Sequence, residues 1–314
     1  MTTLTTNLAR PVTREHIEYS LKRHGPVYAG YLSNHLPMAL LALDGLGAGQ
    51  TFVDDYFDQY VKRLKPPDML GEYPERLASF RERIAHDGVT STLHATLPPL
   101  MSGWYRDAYH PFIRLAYGVH FDIPGEVAAG LAYLDICGAN SQLAEIAQKS
   151  SASNESVNAI FQELRTWHCD YDTTTSFSTR ADTAIDDERF RSLPGEVSDT
   201  LRAVTRVALD IFASTHDFFA LHLVTGAHAY RILFDYAGAD RNRLFLLGVA
   251  AVYLAVNTPA FTPLEASELP NDIDWLASCR PDEHDYKLTY SALDQAQYWN
   301  DPSFAYAAYA YLFR

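Results

Sequence analysis

Cysteine is scarce in this chain, and its scarcity excludes several kinds of protein. The three cysteines, Cys137, Cys169 and Cys279, are odd in number and far apart, and none belongs to a C-x-x-C pair. We therefore expect neither a disulfide framework nor a zinc knuckle. The N-terminal residues also lack the basic and then apolar pattern of a signal peptide. Both features predict a protein of the reducing cytoplasm.

Positive charge and long apolar runs are scarce as well. The 25 Lys and Arg residues against 39 Asp and Glu residues give a net charge of −14, which argues against nucleic acid and anionic membranes as partners. The most apolar run, residues 244–256, is too short to span a membrane, which takes about 20 residues, and predicts a buried core helix. No G-x-G-x-x-G after a strand, G-x-x-x-x-G-K-[ST] or G-x-S-x-G motif occurs, so no nucleotide cofactor is expected.

Apolar residues are abundant and recur with a helical period. They make up 47% of the chain, enough for a substantial core, and aromatic residues make up 13%. Alternation with a period of two, which would indicate strands, is nearly absent, and there is no repeat of 20–50 residues. The pattern predicts one all-α domain, a multi-helix bundle over residues 1–314. We expect helices at residues 125–149, 196–236 and 241–256, and a surface loop or lid at 170–187.

Five histidines in apolar, helix-like contexts are candidate metal ligands. His35 lies on an apolar stripe, and His110 precedes a proline among aromatic residues. His222 and His228 are six residues apart, so on one straight helix they point about 120° apart and are not both expected to bind the same ion unless the helix is kinked near Gly226. His284 completes the set. Imidazole suits iron, zinc, copper and nickel. For any one of these histidines, an ordinary core or surface role is the alternative.

Lys287 follows His284 by three residues and shares its helix face. A charged lysine cannot bind a metal ion, but a lysine buried beside a cation loses its proton. A neutral lysine can take up carbon dioxide and become a carbamate, which is a carboxylate-like oxygen ligand. Histidines with such a ligand resemble the shell of non-haem Fe(II) oxygenases. The alternative is a surface lysine paired with Glu283.

Five segments, residues 24–48, 109–118, 130–133, 221–231 and 284–288, resemble the questin oxidase-like family and occur in family order. The resemblance implies a helical enzyme that oxidises aromatic polyketides such as anthraquinones, by ring cleavage or oxygen insertion. Where family members often carry further histidines, this chain has Met38 and Arg114. The residues that match the family pattern as metal ligands are His35, His110, His228, His284 and Lys287. His222 matches too, as a reserve ligand or a substrate contact.

The expected function is therefore an oxygenase of secondary metabolism, with a small polycyclic phenol or quinone and dioxygen as partners and Fe(II) as cofactor. His228 and Lys287 are the predicted catalytic residues. The rings expected to stack on the substrate are Trp104, Tyr105, Phe112 and Tyr117. One alternative is a metal-free oxygenase, in which a histidine such as His228 is the general base. The other is a non-enzymatic protein that binds an aromatic ligand. The sequence leaves the oligomeric state open.

Overall fold

The fold is all-α, as the sequence predicts. A computed structural model describes residues 8–64, 67–68, 70–167, 171–172 and 174–314. Within these residues, three strands of two residues each form the sheet, in the antiparallel order β2-β1-β3. They are β1 (Val27–Tyr28), β2 (Leu32–Ser33) and β3 (Pro67–Asp68).

Sixteen α-helices account for most of the described chain. In chain order they are α1 (Pro11–Arg23), α2 (Leu36–Gly45), α3 (Gln50–Tyr60), α4 (Tyr73–Asp87), α5 (Val89–Thr96), α6 (His110–His120), α7 (Pro124–Cys137), α8 (Ser141–Lys149), α9 (Val157–Leu164), α10 (Phe177–Asp186), α11 (Thr200–Thr215), α12 (Phe218–Leu233), α13 (Arg241–Ala255), α14 (Trp275–Ser278), α15 (Glu283–Trp299) and α16 (Ser303–Leu312). Short 3₁₀ segments lie at Pro98–Gly103, Asp107–Tyr109, Glu188–Ser192 and Phe234–Tyr236. None of these helices is both long and apolar enough to cross a membrane.

The described residues divide into two compact units. Unit 1 is built from the segments Met1–Thr92, His110–Ile136 and Ala266–Arg314, and unit 2 from Leu93–Tyr109 and Cys137–Glu265. That the chain forms one domain over residues 1–314 stays a prediction.

Two of the sequence-based helix boundaries are wrong, and local backbone chemistry explains both. Residues 125–149 form α7 and α8 rather than one helix, because Gly138 has a φ of +76° and Asn140 caps α8 by accepting a hydrogen bond from the Leu143 N–H. The expected loop at 170–187 contains α10, whose first turn is capped by Ser176. Residues 170 and 173, and also Cys169, lie outside the described residues.

The other helix predictions agree with the structure. The helical segment predicted at 196–236 is broken rather than continuous, because His216 has a φ of +51° and Asp217 caps α12. α13 is buried on every face from Leu244 to Ala255, which is typical of a helix surrounded by other helices in a core.

In unit 1, α6 and α7 approach each other closely through glycines. A Cβ atom at Gly130 would lie 2.5 Å from Leu115 Cα, and one at Gly118 would lie 2.7 Å from the backbone nitrogen of Val127. Only glycine allows the two backbones to come this close. The contact fixes α6, whose first residue is His110, against α7.

Candidate metal centre

Three histidines from separate helices of unit 1 converge. His35 stands at the N-cap of α2, His110 is the first residue of α6, and His284 is the second residue of α15. One ring nitrogen from each lies within 4.8 Å of the others. The ring centroid of His35 is 4.5 Å from that of His110 and 4.8 Å from that of His284. The structure therefore places three of the predicted ligands together, and their role in metal binding stays a prediction.

The backbone before His110 and His35 sets the positions of both rings. Asp107, Ala108 and Tyr109, directly before His110, all have positive φ angles, between +49° and +66°. Each such residue costs on the order of 1–3 kcal/mol, which the surrounding packing must offset. Before His35, the side-chain oxygen of Asn34 accepts a hydrogen bond from the Leu36 N–H at 3.1 Å. The chain thus enters α2 and α6 with both histidines at the helix starts.

The spacing of the ring nitrogens suits a shared metal ion. Nε2 of His35 lies 2.8 Å from Nε2 of His110. Two nitrogens that bind one ion at right angles, each about 2.1 Å from it, are about 3.0 Å apart. Without an ion, the same distance is a hydrogen bond in which one nitrogen carries the proton and the other accepts it.

The second ring nitrogen of each histidine faces a polar side chain. Nδ1 of His110 lies 3.0 Å from Ser33 Oγ, which is itself 3.1 Å from the Tyr133 hydroxyl. Nδ1 of His284 lies 2.9 Å from Asp282 Oδ1. Hydrogen bonds from His284 lower the pKa of Asp282 to about 2, so this carboxylate accepts and His284 Nδ1 donates. Such outer hydrogen bonds fix the ring orientation of metal-binding histidines and leave Nε2 for the metal ion.

His35 faces a carboxylate as well. Its Nδ1 lies 4.0 Å from Glu283 Oε1, which is an ionic contact rather than a hydrogen bond. All three histidines of the centre thus have a polar group on the Nδ1 side. These outer partners are not predictable from the sequence, in which the acidic pair directly before His284 is the one local sign of them.

Lys287 lies one helical turn after His284 and is fully buried. Among the described residues its Nζ has no hydrogen-bond partner. Burial lowers the pKa of Lys287 to about 7, against the opposing charges of Glu283 and Asp282. The alternative of a surface lysine is wrong, because Lys287 is fully buried and its Nζ makes no hydrogen bond with Glu283, which accepts from Arg63 at 3.2 and 3.3 Å.

The residues present fit a bound transition metal. Burial lowers the pKa of His284, and the charge of Lys287 lowers it further, so the imidazole stays neutral and keeps a lone pair. Three imidazoles and one buried amine that has no hydrogen-bond partner among the described residues form a nitrogen-rich donor set. Imidazole nitrogens are ligands that iron, zinc, copper and nickel accept.

The two other predicted histidines lie in unit 2, on α12. His222 and His228 are both fully buried. Nδ1 of His222 donates a hydrogen bond to the Phe218 carbonyl at 2.8 Å. Their roles as ligand, general base or substrate contact stay predictions.

The four predicted substrate rings are buried as well. In unit 2, the Trp104 indole donates a hydrogen bond to the Leu244 carbonyl at 3.1 Å, and the Tyr105 hydroxyl binds Asp182. In unit 1, Phe112 is fully buried on α6, and the Tyr117 hydroxyl lies 3.3 Å from Ser291 Oγ. Contact of these rings with a substrate stays a prediction.

Arg114 forms a buried ion pair. Its guanidinium donates to both carboxylate oxygens of Glu126, at 2.7 and 3.0 Å. A cavity of about 570 Å³ also opens in unit 1, and its lining includes Leu269, Ile273 and Trp275. The predicted site residues do not line it.

Comparison with known proteins establishes the family. The questin oxidase-like family model matches residues 32–292, so the chain belongs to this family, as the resemblance of its motifs implied. It is similar to a protein named questin oxidase from Aspergillus terreus, at 26% identity over 215 residues, which cover 59% of this chain and 47% of that one. It is also similar to Baeyer-Villiger oxidase ptaJ from Pestalotiopsis fici, at 27% identity over 167 residues, which cover 42% and 38%. The matched regions thus span less than half of either relative.

Proposed function

We propose that this protein is a dioxygen-dependent oxygenase that acts on a polycyclic aromatic polyketide, an anthraquinone-like phenol or quinone, and uses non-haem iron. The observation that carries the proposal is the convergence of His35, His110 and His284, together with the buried amine of Lys287, which has no hydrogen-bond partner in the described part of the chain. Membership of the family and the names of the two relatives support oxidation as the type of reaction.

In this proposal His35, His110 and His284 hold Fe(II) through their ring nitrogens, and Lys287 supplies an oxygen ligand as its carbamate. His228 is the further ligand that the sequence predicts, with His222 in reserve. Fe(II) in such a shell would bind and activate dioxygen beside the electron-rich ring. The proposed location of this chemistry is the cytoplasm.

The burial of Lys287 prepares its modification. With a pKa of about 7, its amine is substantially neutral at physiological pH, whereas an ordinary lysine is almost fully protonated. The nitrogen lone pair attacks the carbon of carbon dioxide, a C–N bond forms as the electron pair of one C=O π bond moves to its oxygen, and one N–H proton is released. The product is an anionic carbamate, whose charge a bound cation would stabilise.

The test combines metal loading with turnover. Protein loaded anaerobically with Fe(II) is mixed with a hydroxylated anthraquinone and isotopically labelled dioxygen, and both dioxygen uptake and label in the product are followed. The proposal predicts uptake and labelled product for the parent protein, and neither for His284→Ala/Lys287→Ala. The exposed substitution Glu145→Gln is the control and is expected to behave like the parent.

Two other outcomes would each refute part of the proposal. Equal turnover by protein stripped of metal would identify a metal-free oxygenase, with a histidine such as His228 as the base that removes a phenolic proton. Tight binding of the anthraquinone with no dioxygen uptake would identify a ligand-binding protein instead.

A further inference from the structure

We propose that Glu283 is a positioning residue that orients His35 for metal binding, both through its own carboxylate and through the hydroxyl of Tyr60. The inference rests on the proposed function, since it concerns the same metal centre. Nothing in the family match or in the names of the relatives assigns a role to Glu283.

The Glu283 carboxylate accepts hydrogen bonds from two residues, Arg63 and Tyr60. The guanidinium of Arg63 donates to both of its carboxylate oxygens, at 3.2 and 3.3 Å. The Tyr60 hydroxyl donates to Oε1 at 3.4 Å. Glu283 is also in the first turn of α15, where the partial positive charge of the helix N-terminus favours a carboxylate. These contacts fix the position of a carboxylate that is only 5% exposed.

The same carboxylate reaches His35 at two points. The Tyr60 oxygen accepts a hydrogen bond from the His35 backbone N–H at 3.3 Å, so the backbone of His35 is connected to Glu283 through one hydroxyl. The ring Nδ1 of His35 lies 4.0 Å from Glu283 Oε1. Because an ionised carboxylate can only accept, it favours the tautomer of His35 with the proton on Nδ1. The lone pair is then on Nε2, the nitrogen that faces His110.

This tautomer is consistent with the rest of the hydrogen-bond chain. If His35 Nε2 carries the lone pair, His110 Nε2 donates the bond between them, and His110 Nδ1 accepts from the Ser33 hydroxyl. When a metal ion takes the place of the proton on His110 Nε2, the neutral ring carries its proton on Nδ1 instead. Ser33 can accept that proton in a hydrogen bond because a hydroxyl both donates and accepts. The site can therefore exchange a proton for a metal ion while Ser33 Oγ stays a suitable hydrogen-bond partner of His110 Nδ1 in both states.

Asp285 provides a matched control for a purely structural role. It lies on the same helix, is 1% exposed, and is likewise paired with an arginine, accepting from Arg280 Nε at 2.8 Å and Nη2 at 2.9 Å. Its hydrogen bonds go to Arg280 and not to the histidines of the centre. Neutralising Asp285 therefore disturbs a comparable buried ion pair without disturbing the orientation of His35.

The experiment measures Co(II) and Fe(II) affinity by competition with a chelator, together with the visible absorption of the Co(II) form. We expect Glu283→Gln to bind both ions about 10–100-fold more weakly than the parent, with an altered Co(II) spectrum, because loss of an outer partner of a ligand typically has this effect. Asp285→Asn is expected to keep the metal affinity and the Co(II) spectrum of the parent, although its thermal stability falls because a buried ion pair is lost. Tyr60→Phe keeps the carboxylate and is expected to weaken binding by less than Glu283→Gln.

The outcomes separate this inference from the proposed function. The positioning role alone would be overturned if the parent and Glu283→Gln bind the metal ions with equal affinity. It would also be overturned if Glu283→Gln and Asp285→Asn lose the same amount of metal affinity. If Glu283→Gln does not fold, Tyr60→Phe decides the question, and an affinity equal to that of the parent would overturn the role. Failure of the parent itself to bind either ion would overturn the proposed function and this inference together.

Discussion

Replacement of Glu126 by glutamine is expected to destabilise the protein strongly. Arg114 and Glu126 are 2% and 1% exposed, and their two hydrogen bonds are the pattern of a bidentate arginine–carboxylate pair. The Arg114 Nη1 has no hydrogen-bond partner among the described residues, so Glu126 is the counter-charge that offsets the burial of the cation. Glu126→Gln keeps the shape of the side chain and removes that charge.

The magnitude follows from the cost of an uncompensated buried charge. Removal of one partner from a buried ion pair typically costs about 3–5 kcal/mol, whereas replacement of both partners by apolar residues of similar size is about neutral or even stabilising. At roughly 2 °C per kcal/mol for a chain of this size, Glu126→Gln is expected to lower Tm by about 6–10 °C. The double variant Arg114→Met/Glu126→Leu is expected to recover most of that loss.

Scanning calorimetry on the parent, Glu126→Gln, Arg114→Met, Glu126→Leu and the double variant Arg114→Met/Glu126→Leu measures the coupling. Glu72→Gln, which removes an exposed partner of Arg76, is the control and is expected to change stability by less than about 1 kcal/mol. A Glu126→Gln stability within about 1 kcal/mol of the parent would refute this expectation, and so would a double variant that loses the sum of the Arg114→Met and Glu126→Leu losses.

Two further predictions concern single buried groups. In metal-free protein, the lowered pKa of Lys287 means that the folded state releases a proton from about pH 7, whereas the unfolded chain keeps it to about pH 10.4. The free-energy penalty of burying Lys287 is thus complete below pH 7 and falls as the pH rises. The stability advantage of Lys287→Met, measured by urea denaturation, should therefore shrink by about 1.4 kcal/mol per pH unit between those two values. An advantage that stays constant with pH would contradict this expectation. Gly248→Ala should lower the free energy of unfolding by about 1–3 kcal/mol, because the added Cβ would lie 2.3 Å from Trp104 Nε1. Gly49→Ala is the control and should not lower it in this way, because its Cβ would meet no atom within 4 Å.

The helical fold could be predicted from the sequence because the apolar period extends over whole helices. Boundaries were less predictable where a single residue decides them, as at Gly138 and Asn140, which divide the expected helix at 125–149. The cap at Ser176 likewise begins a helix in a segment whose composition favours a loop. In both places one hydrogen bond or one φ angle outweighs the propensity of the flanking residues.

The candidate site was predictable in part for a similar reason. His35, His110 and His284 could be named from their local contexts and from the resemblance to the family. Their outer partners could not, because contacts such as Tyr60 with Glu283 join residues 223 positions apart. No periodic pattern encodes such a pairing, and only the folded arrangement of α2, α3 and α15 creates it.

The most direct test of the metal centre is elemental analysis of protein loaded with Fe(II) under anaerobic conditions and then freed of unbound ions. The parent is compared with His284→Ala/Lys287→Ala and with the exposed control Glu145→Gln. About one iron per chain is expected in the parent and the control, and little in the double variant, because the proposed site would need both the His284 imidazole and the Lys287 carbamate. Absence of iron from the parent, or equal iron in the double variant, would refute the proposed metal centre.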